Sequence, residues 1–149
     1  MIRKIVCAAF ASALAASTAA FAVDTTPTRG APDLSAVRSE IKAKEFKAAI
    51  KDLNGMIDAG VQHADVYNLL GFSLRKSGDQ KTALTYYRKA LDFDPGHKGA
   101  LEYQGELYVE MGEIAKARDN LATLVKLCPQ GCEEREDLEK ALAAVAKTN

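Results

Sequence analysis

The sequence predicts an all-α protein, a solenoid built from helical hairpins. The first observation behind this prediction is that glycine, alanine and proline residues recur at a spacing of 34 residues. The recurring residues are Gly71 and Gly105, Gly78 and Gly112, Ala49, Ala83 and Ala117, and Pro95 and Pro129. The second observation is that the apolar residues between these markers follow a helical period rather than an alternating one. An internal period of this length indicates stacked supersecondary units, here pairs of amphipathic helices.

Residues 1–22 are predicted to be a secretory signal peptide. The segment begins with the basic residues Arg3 and Lys4, continues with an apolar stretch and ends in small residues at Ala20 and Ala22, which is the pattern of a cleavable leader. A transmembrane anchor is the alternative, but hydroxyl residues interrupt a run that is already near the minimum length of a membrane span. We therefore expect cleavage after Ala22, a periplasmic or secreted protein, and no stable membrane anchor in the mature chain.

The mature chain is expected to be a single domain with little net charge. The 149-residue sequence has a formal net charge of zero, and loss of the leader removes two basic residues and no acidic residue. This charge balance gives no basic surface of the kind that nucleic-acid binding requires, so no nucleic-acid partner is expected. Residues 23–32 contain prolines and a glycine without an apolar period, which indicates a flexible N-terminus. The folded domain is predicted over residues 33–147.

Three helical-hairpin units are predicted within that domain. Their approximate ranges are residues 30–63, 64–97 and 98–131. Gly78 and Gly112 mark the turns between the paired helices of the second and third units, and Asp79 is placed to cap the helix that follows the first of these turns. Pro95 and Pro129 are expected to end the second helix of each unit, because proline cannot continue the helical hydrogen-bond ladder.

The first unit is predicted to be a degenerate copy of the repeat. It keeps the segment KEFKAAI with Ala49, lacks the turn glycine and has Val61 in place of the proline.

The second and third units resemble tetratricopeptide repeats. In the second unit the family's signature corresponds to Tyr67, Leu70, Gly71, Leu74, Ala83, Tyr87, Ala90 and Pro95. In the third unit it corresponds to Leu101, Gly105, Tyr108, Ala117, Leu121 and Pro129. The third unit departs from the signature at Gln104, where leucine is usual, and at Leu124, where a small residue is usual. The leader, the few repeats and a cysteine pair are also similar to those of small exported bacterial repeat proteins.

Gly71 is predicted to lie inside a helix for a packing reason. Glycine in a helix interior costs about 1 kcal/mol relative to alanine. Small residues at Gly71 and Ala83 would let the two helices of the unit approach closely enough for Leu70 and Tyr87 to interdigitate. We expect this packing to offset the cost of the glycine.

A C-terminal helix over residues 133–146 is predicted to cap the solenoid. Its apolar residues share one face, namely Leu138, Ala141, Leu142 and Val145. Its first turn is acidic, which suits the N-terminus of a helix. The last unit of a repeat stack exposes an apolar face, which a terminal helix with a polar outer side must cover.

Cys128 and Cys132 are predicted to form a structural disulfide that links the last repeat to the capping helix. An even pair of cysteines at this short spacing, in an oxidising compartment, is most simply a disulfide. A thiol-redox function is an alternative, although the two-residue spacing of the thioredoxin-type motif is absent. Metal binding is a further alternative, which would need ligands beyond these two thiols.

No catalytic constellation occurs in the sequence, so we expect no enzymatic activity, no cofactor and no bound metal. The chain has no phosphate-binding glycine loop, no nucleophile elbow and no histidine pair at metal-binding spacing. His63 and His97 each precede the first helix of a unit and are expected to be solvated loop residues. The acidic cluster at the start of the capping helix is interpreted as a solvated helix terminus; it comprises Glu133, Glu134, Glu136 and Asp137.

The resemblance implies that a protein or peptide segment binds on the side lined by the first helices of the units. Transfer of the groove positions by repeat register selects Arg38, Lys42, Asn68, Phe72, Arg75, Glu102, Tyr103 and Glu106. Phe72 and Tyr103 are large rings that the repeat signature does not require, and aromatic residues are enriched at binding hot spots. The charges are predicted to separate by unit. The basic residues of the first two units are Arg38, Lys42, Arg75 and Lys76, and the acidic stripe of the third unit is Glu102, Glu106 and Glu110.

These observations favour an exported, non-catalytic adaptor that holds a protein segment in its groove. A thiol-redox or metal-handling protein that acts through Cys128 and Cys132 is the first alternative. A self-associating assembly subunit, whose partner is a second copy of the chain, is the other.

Overall fold

A computed structural model describes residues 30–147 of the chain. This range contains seven helices and no strand. The helices are α1 (Ser35–Lys42), α2 (Phe46–Asp58), α3 (Ala64–Lys76), α4 (Gln80–Phe93), α5 (Lys98–Glu110), α6 (Ile114–Leu127) and α7 (Glu133–Ala146). The predicted signal peptide and residues 23–29 of the predicted flexible N-terminus lie outside the described residues.

The helices pack as successive hairpins, which confirms the predicted all-α solenoid. Helix α1 packs against α2, α3 against α4, and α5 against α6, while α2 also contacts α3 and α4 contacts α5. Helix α7 packs against both α5 and α6 and therefore closes the end of the stack. Within the described residues, no helix is long and apolar enough to cross a membrane.

The turns inside the three hairpins share a left-handed backbone residue at the same repeat position. Gly78 has φ of 92° and Gly112 has φ of 76°, a region that glycine occupies at no steric cost. In the first unit Lys44 stands at this position, 34 residues before Gly78, and has φ of 61°. The degenerate unit has thus kept the turn geometry without the glycine.

The predicted helix ends of the second and third units are observed. The side chain of Asp79 accepts a hydrogen bond from the Thr82 N–H at 3.1 Å, which caps the N-terminus of α4. Helix α4 ends at Phe93 and α6 at Leu127, in each case two residues before the proline of the unit.

Gly71 lies where α3 and α4 approach most tightly, as its sequence position predicts. A Cβ atom at Gly71 would stand 2.8 Å from two ring carbons of Tyr87 and 3.2 Å from the backbone oxygen of Ala83. Tyr87, Ala83 and Leu70 are all fully buried around it. The glycine therefore makes room for the tyrosine ring at the centre of the hairpin.

Gly105 has the same repeat position but a different neighbour. A Cβ atom at Gly105 would lie 2.5 Å from a methyl carbon of Leu138, which belongs to the capping helix α7. Leu138 is fully buried, in one apolar cluster with Leu101 and Leu124. The absence of a side chain at Gly105 thus leaves room for Leu138 of the capping helix to pack against α5.

Both departures of the third unit from the repeat signature have a structural explanation. Gln104 is buried, and its Oε1 accepts a hydrogen bond of 3.0 Å from Asn120 Nδ2, which also donates to the backbone oxygen of Leu101. The larger side chain of Leu124 fills space against Leu138 rather than against a following full repeat.

Cys128 and Cys132 bracket the junction between the last repeat and the cap. Cys128 is the C-cap residue of α6 and Cys132 is the N-cap residue of α7. Their sulfur atoms lie 2.07 Å apart, at the distance of a disulfide bond. The pair occupies the place in the fold that the sequence predicts.

Candidate functional site

Helices α1, α3, α5 and α7 together line one surface of the solenoid, which we call the groove. The four helices contribute to a single cavity of about 310 Å³, here named the acidic pocket. Its lining residues are Arg38, Asp65, Asn68, Leu69, His97, Gly99, Glu102, Tyr103, Glu133, Glu134 and Asp137. Five of these side chains are carboxylates, so the pocket concentrates negative charge.

A second cavity lies at the C-terminal ends of α1 and α3, and we call it the lysine-rich pocket. Its volume is about 430 Å³, and its lining residues are Ile41, Lys42, Lys44, Phe46, Phe72 and Lys76. Three lysines accompany two aromatic rings here. The two pockets therefore carry opposite charge.

An aromatic pair connects the two pockets. The ring centroids of Phe72, in the lysine-rich pocket, and Tyr103, in the acidic pocket, are 4.9 Å apart. Phe46 meets the Phe72 ring edge to face at 6.3 Å, and the Lys76 ammonium lies 5.3 Å from the Phe72 centroid. Phe72 and Tyr103 are half-buried, so part of each ring remains available to a ligand.

Two buried polar side chains of the acidic pocket have unused hydrogen-bonding capacity. Asn68 is 5% exposed, and its Oδ1 has no hydrogen-bond partner among the described residues. Glu102 is 7% exposed and forms no hydrogen bond or ion pair with any described residue. Burial, together with the neighbouring carboxylates of Glu106, Asp137 and Glu134, raises the pKa of Glu102 to about 8.

Asp65 and His97 form a hydrogen bond in the lining of the acidic pocket, and His97 also caps a helix. The His97 Nδ1 atom accepts from the Ala100 N–H at 3.0 Å and caps α5, so Nε2 carries the proton that it donates to Asp65 Oδ1 at 2.9 Å. The His97 side chain is 15% exposed. The expectation that both histidines are solvated loop residues is therefore wrong for His97. His63 also caps a helix, since its Nδ1 accepts from the Asp65 N–H.

Arg75 differs from its sequence expectation, which made it an available basic residue of the groove. Its side chain is 6% exposed and joins α3 to α5 through ion pairs. Nη1 lies 2.7 Å from Glu106 Oε2, and Nη2 lies 2.5 Å from Glu110 Oε1. Arg75 thus links the second and third units of the fold internally.

These contacts change the predicted picture in which free basic charge lies in the first two units and free acidic charge in the third. Arg75 neutralises Glu106 and Glu110, two members of the predicted acidic stripe, and Arg38 of the first unit lines the acidic pocket. Charge instead varies along the helices. Asp65 and Glu133 lie in first turns, whereas the lysines of the groove lie at C-terminal ends, an arrangement that complements the helix dipoles.

All eight groove residues selected from the sequence lie on α1, α3 or α5, and the structure sorts them into three groups. Arg38, Asn68, Glu102 and Tyr103 meet in the acidic pocket. Lys42 and Phe72 line the lysine-rich pocket. Arg75 and Glu106 form an ion pair. Whether these residues bind a partner stays a prediction.

The sequence interpretation missed the contribution of the capping helix to the groove. Glu133, Glu134 and Asp137 of α7 line the acidic pocket, although they had been interpreted as a solvated helix terminus. The signal was the repeat register itself, because Asp137 stands 34 residues after Tyr103. Helix α7 therefore occupies the position of a first helix in the repeat register.

Within residues 30–147, no group of three or more histidine, cysteine, aspartate or glutamate side chains is arranged to hold a metal ion.

Two matches to family models identify the class of the protein. Tetratricopeptide-repeat models match residues 64–97 and residues 100–131, which are the second and third units of the fold. The chain is thus a tetratricopeptide-repeat protein over these two segments. Such repeats suggest protein–protein interaction and belong to a typically non-catalytic family.

Two curated proteins share part of the sequence. The uncharacterized protein ycf37 of Pyropia yezoensis is 32% identical over 77 residues, which cover 50% of this chain and 43% of that protein. The probable biofilm formation methyltransferase WspC of Pseudomonas putida is 42% identical over 55 residues, which cover 37% of this chain and 13% of that protein. The chain thus spans less than half the length of either relative.

A solved structure shares the fold. The type III secretion translocator chaperone SycD of Yersinia enterocolitica superposes with a TM-score of 0.67 at 17% sequence identity, covering 79% of this chain and 96% of SycD. This similarity is one of fold.

Proposed function

We propose that the protein is an exported, non-catalytic adaptor that binds a segment of another polypeptide in the groove. The observation that carries the proposal is the aromatic pair of Phe72 and Tyr103, whose rings lie 4.9 Å apart and connect two pockets of opposite charge. The pair and its pockets give one surface with apolar anchors at its centre and charged groups at its two ends.

The chemistry of this surface suits a peptide rather than a small reactive molecule. Half-buried aromatic rings provide contact area with little loss of conformational entropy, and such rings are enriched among the residues that dominate binding energy. Charged groups on either side add orientation and discrimination between partners more than affinity. A segment with an apolar residue at its centre and charges around it would match both features.

Two further observations support the proposal. The repeat class suggests protein–protein interaction, and the protein of similar fold, SycD, is a type III secretion translocator chaperone. Export rests on the sequence of residues 1–22, which has the pattern of a cleavable leader.

The experiment is crosslinked affinity capture from an envelope extract, using protein expressed from the full sequence. The test variant is Phe72→Ala with Tyr103→Ala. The matched control is Val125→Ala with Leu127→Ala, because both side chains are exposed on α6 and line neither pocket. All three proteins are compared at equal helical content and equal melting temperature.

The proposal expects a polypeptide that the wild type and the control capture and that the groove variant loses. Capture of the same polypeptides by all three proteins would contradict binding in the groove. Concentration-dependent sedimentation of the purified protein distinguishes a foreign partner from a second copy of the chain, which is the self-associating alternative.

A further inference from the structure

The acidic pocket holds acceptors that the folded chain leaves unused. The Oδ1 atom of Asn68 and the carboxyl group of Glu102 come from neighbouring helices, both residues are more than nine-tenths buried, and neither group is bonded to a described residue. Asn68 Oδ1 is itself a buried acceptor without a partner among the described residues, and such a group costs free energy that is recovered when a partner binds. The missing partner must therefore be a hydrogen-bond donor.

The charged groups around Asn68 and Glu102 indicate the charge of the donor that would bind there. The charged and titratable groups facing Glu102 are Arg38 of α1, Asp65 of α3, His97 before α5, Tyr103 and Glu106 of α5, and Glu133, Glu134 and Asp137 of α7. Several carboxylates already have internal partners: Asp65 contacts His97, Glu106 pairs with Arg75, and Asp137 pairs with Lys140. Glu102 and Glu133 form no ion pair within the described residues.

We propose that the acidic pocket binds a positively charged side chain, a lysine or an arginine, of the partner polypeptide, and that Asn68 Oδ1 and the Glu102 carboxylate accept its hydrogen bonds. This inference rests on the proposed function, since it names the chemistry of the segment that the groove holds. Lysine and arginine side chains carry only donors, so they match the unpartnered Asn68 Oδ1 and, once it is ionised, the Glu102 carboxylate.

The shape of the pocket favours a side chain over a free organic ligand. Its volume of about 310 Å³ is at the lower limit for a ligand cavity. Tyr103 forms one wall and leads directly to the Phe72 ring. A polypeptide that places a basic residue in the acidic pocket can therefore lay an apolar neighbour on the aromatic pair, and a small cation cannot make that second contact.

Binding of the cation should be linked to release of a proton. The pKa of Glu102 is raised to about 8, so at neutral pH its carboxyl group carries a proton that it must release to accept the hydrogen bonds of the cation. A bound cation favours the ionised carboxylate and lowers this pKa. Affinity should therefore rise as the pH increases from 6 toward 8 and level off above that range.

The experiment is selection of a random 12-residue peptide library, displayed on phage, against four immobilised proteins expressed from the full sequence. They are the wild type, Glu102→Gln, the control Asp119→Asn, and the groove variant Phe72→Ala with Tyr103→Ala. Asp119 is exposed on α6 and lines neither pocket, so Asp119→Asn makes the same carboxyl-to-amide change away from the site. Melting temperatures confirm that each variant is folded before selection.

We expect the wild type and Asp119→Asn to enrich peptides with a lysine or arginine at a fixed distance from an apolar residue. Glu102→Gln should retain the apolar preference and lose the basic one. Selected peptides without a basic preference, or with the same basic preference for Glu102→Gln, would overturn this inference and leave the adaptor function standing. No enrichment by the wild type over the groove variant would overturn both.

A selected peptide then permits a direct measurement by calorimetry. Replacement of its arginine by citrulline, or of its lysine by norleucine, removes the charge and should weaken binding to the wild type by about tenfold or more. The same replacement should have little further effect on binding to Glu102→Gln. Equal loss for both proteins would overturn the assignment of Glu102 as the acceptor.

Discussion

Single residues control the distance between the helices of a hairpin, and Gly71 is the clearest case. The Tyr87 ring occupies the space where a side chain at Gly71 would begin. Because Tyr87 and Ala83 are fully buried, neither can move away without disturbing the packing around α3 and α4. The close packing of α3 against α4, which an alanine at this position would prevent, thus offsets the cost of a glycine in the helix.

Gly71→Ala should lower the free energy of unfolding by about 1 to 3 kcal/mol, the usual cost of overpacking. The matched control is Gly55→Ala in α2, where a Cβ atom would meet nothing within 4 Å. The control should raise stability by up to about 1 kcal/mol, because alanine is the better helix former. Urea unfolding measures both changes, and changes of the same sign would contradict the close-packing account.

Arg75 stabilises the stack by tying α3 to α5. Arg75→Ala leaves Glu106 and Glu110 close together without a compensating charge. We expect a loss of about 2 to 3 kcal/mol, which is less than for a fully buried pair because both glutamates are partly exposed. Arg38→Ala serves as the control, since Arg38 is 58% exposed and its loss should change stability by no more than about 0.5 kcal/mol. If chemical denaturation gave equal losses of stability for Arg75→Ala and Arg38→Ala, the stabilising role of Arg75 would be refuted.

Glu102 should make stability depend on pH in an unusual direction for a carboxylic acid. Its pKa in the folded protein is raised from 4.5 to about 8, so the folded state keeps a proton that the unfolded chain has lost between these values. The contribution of Glu102 to stability therefore falls as the pH rises through this range and is constant above it.

Glu102→Gln removes this dependence. Near pH 4.5 the free energy of unfolding of the variant should equal that of the wild type. At pH 9 it should be larger by at least about 1.4 kcal/mol, the free energy that corresponds to one pKa unit. Asp119→Asn controls for the loss of a surface charge and should show no comparable trend. Thermal unfolding across the pH range measures the difference, and a difference that does not grow with pH would mean that Glu102 is ionised in the folded protein.

At the scale of the elements, α7 has two functions that are inseparable in the structure. Its apolar face closes the core through Leu138, which lies against Gly105, and its acidic first turn completes one wall of the acidic pocket. Closure of the solenoid and shaping of the groove therefore depend on the same helix. The cysteine pair fixes the point at which this helix leaves the last repeat.

Replacement of both Cys128 and Cys132 by serine should lower stability by about 2 kcal/mol, the chain-entropy estimate for so short a loop. Thiol titration of the native, unreduced protein tests the structural interpretation at the same time. A structural disulfide gives no reactive thiol until the protein is denatured and reduced. Free or exchangeable thiols in the native protein would favour the redox alternative over the adaptor.

At the scale of the whole molecule, location decides which partners the groove can meet. If residues 1–22 are a signal peptide, the mature chain begins at Val23. Mass spectrometry of the protein expressed from its full sequence in a bacterial host should give a mass that lacks these residues, and cell fractionation should recover the protein outside the cytoplasm. A retained leader in the purified protein would contradict export by this route.

Much of the fold could be predicted from the sequence because its determinants are local and repeated. The 34-residue spacing, the turn glycines and the helix-ending prolines fix where helices begin and end, and the predicted capping helix has the observed bounds. The sequence also placed all eight groove residues on the first helices. Each of these predictions needs only the period of a helix and the register of a repeat.

The pairing of charges could not be predicted in the same way. Arg75 meets Glu110 across 35 residues of sequence, and Asp65 meets His97 across 32. Arg38 lines the same pocket as carboxylates of α7 that are far away in sequence. Whether a charged side chain is free or paired depends on distances between atoms of different units, which repeat register does not specify.

Local propensity and periodicity are enough to predict a capped stack of helical hairpins with aromatic residues on its first helices. The exposure and pairing of the individual groove residues follow from the packing of the folded chain. The stacking of α1, α3, α5 and α7 engages Arg75 internally, buries Glu102 and leaves the buried Asn68 Oδ1 without a partner among the described residues. The physical reason is that ion pairs and hydrogen bonds form between side chains that lie close together in the folded chain, and these residues can be distant in the sequence.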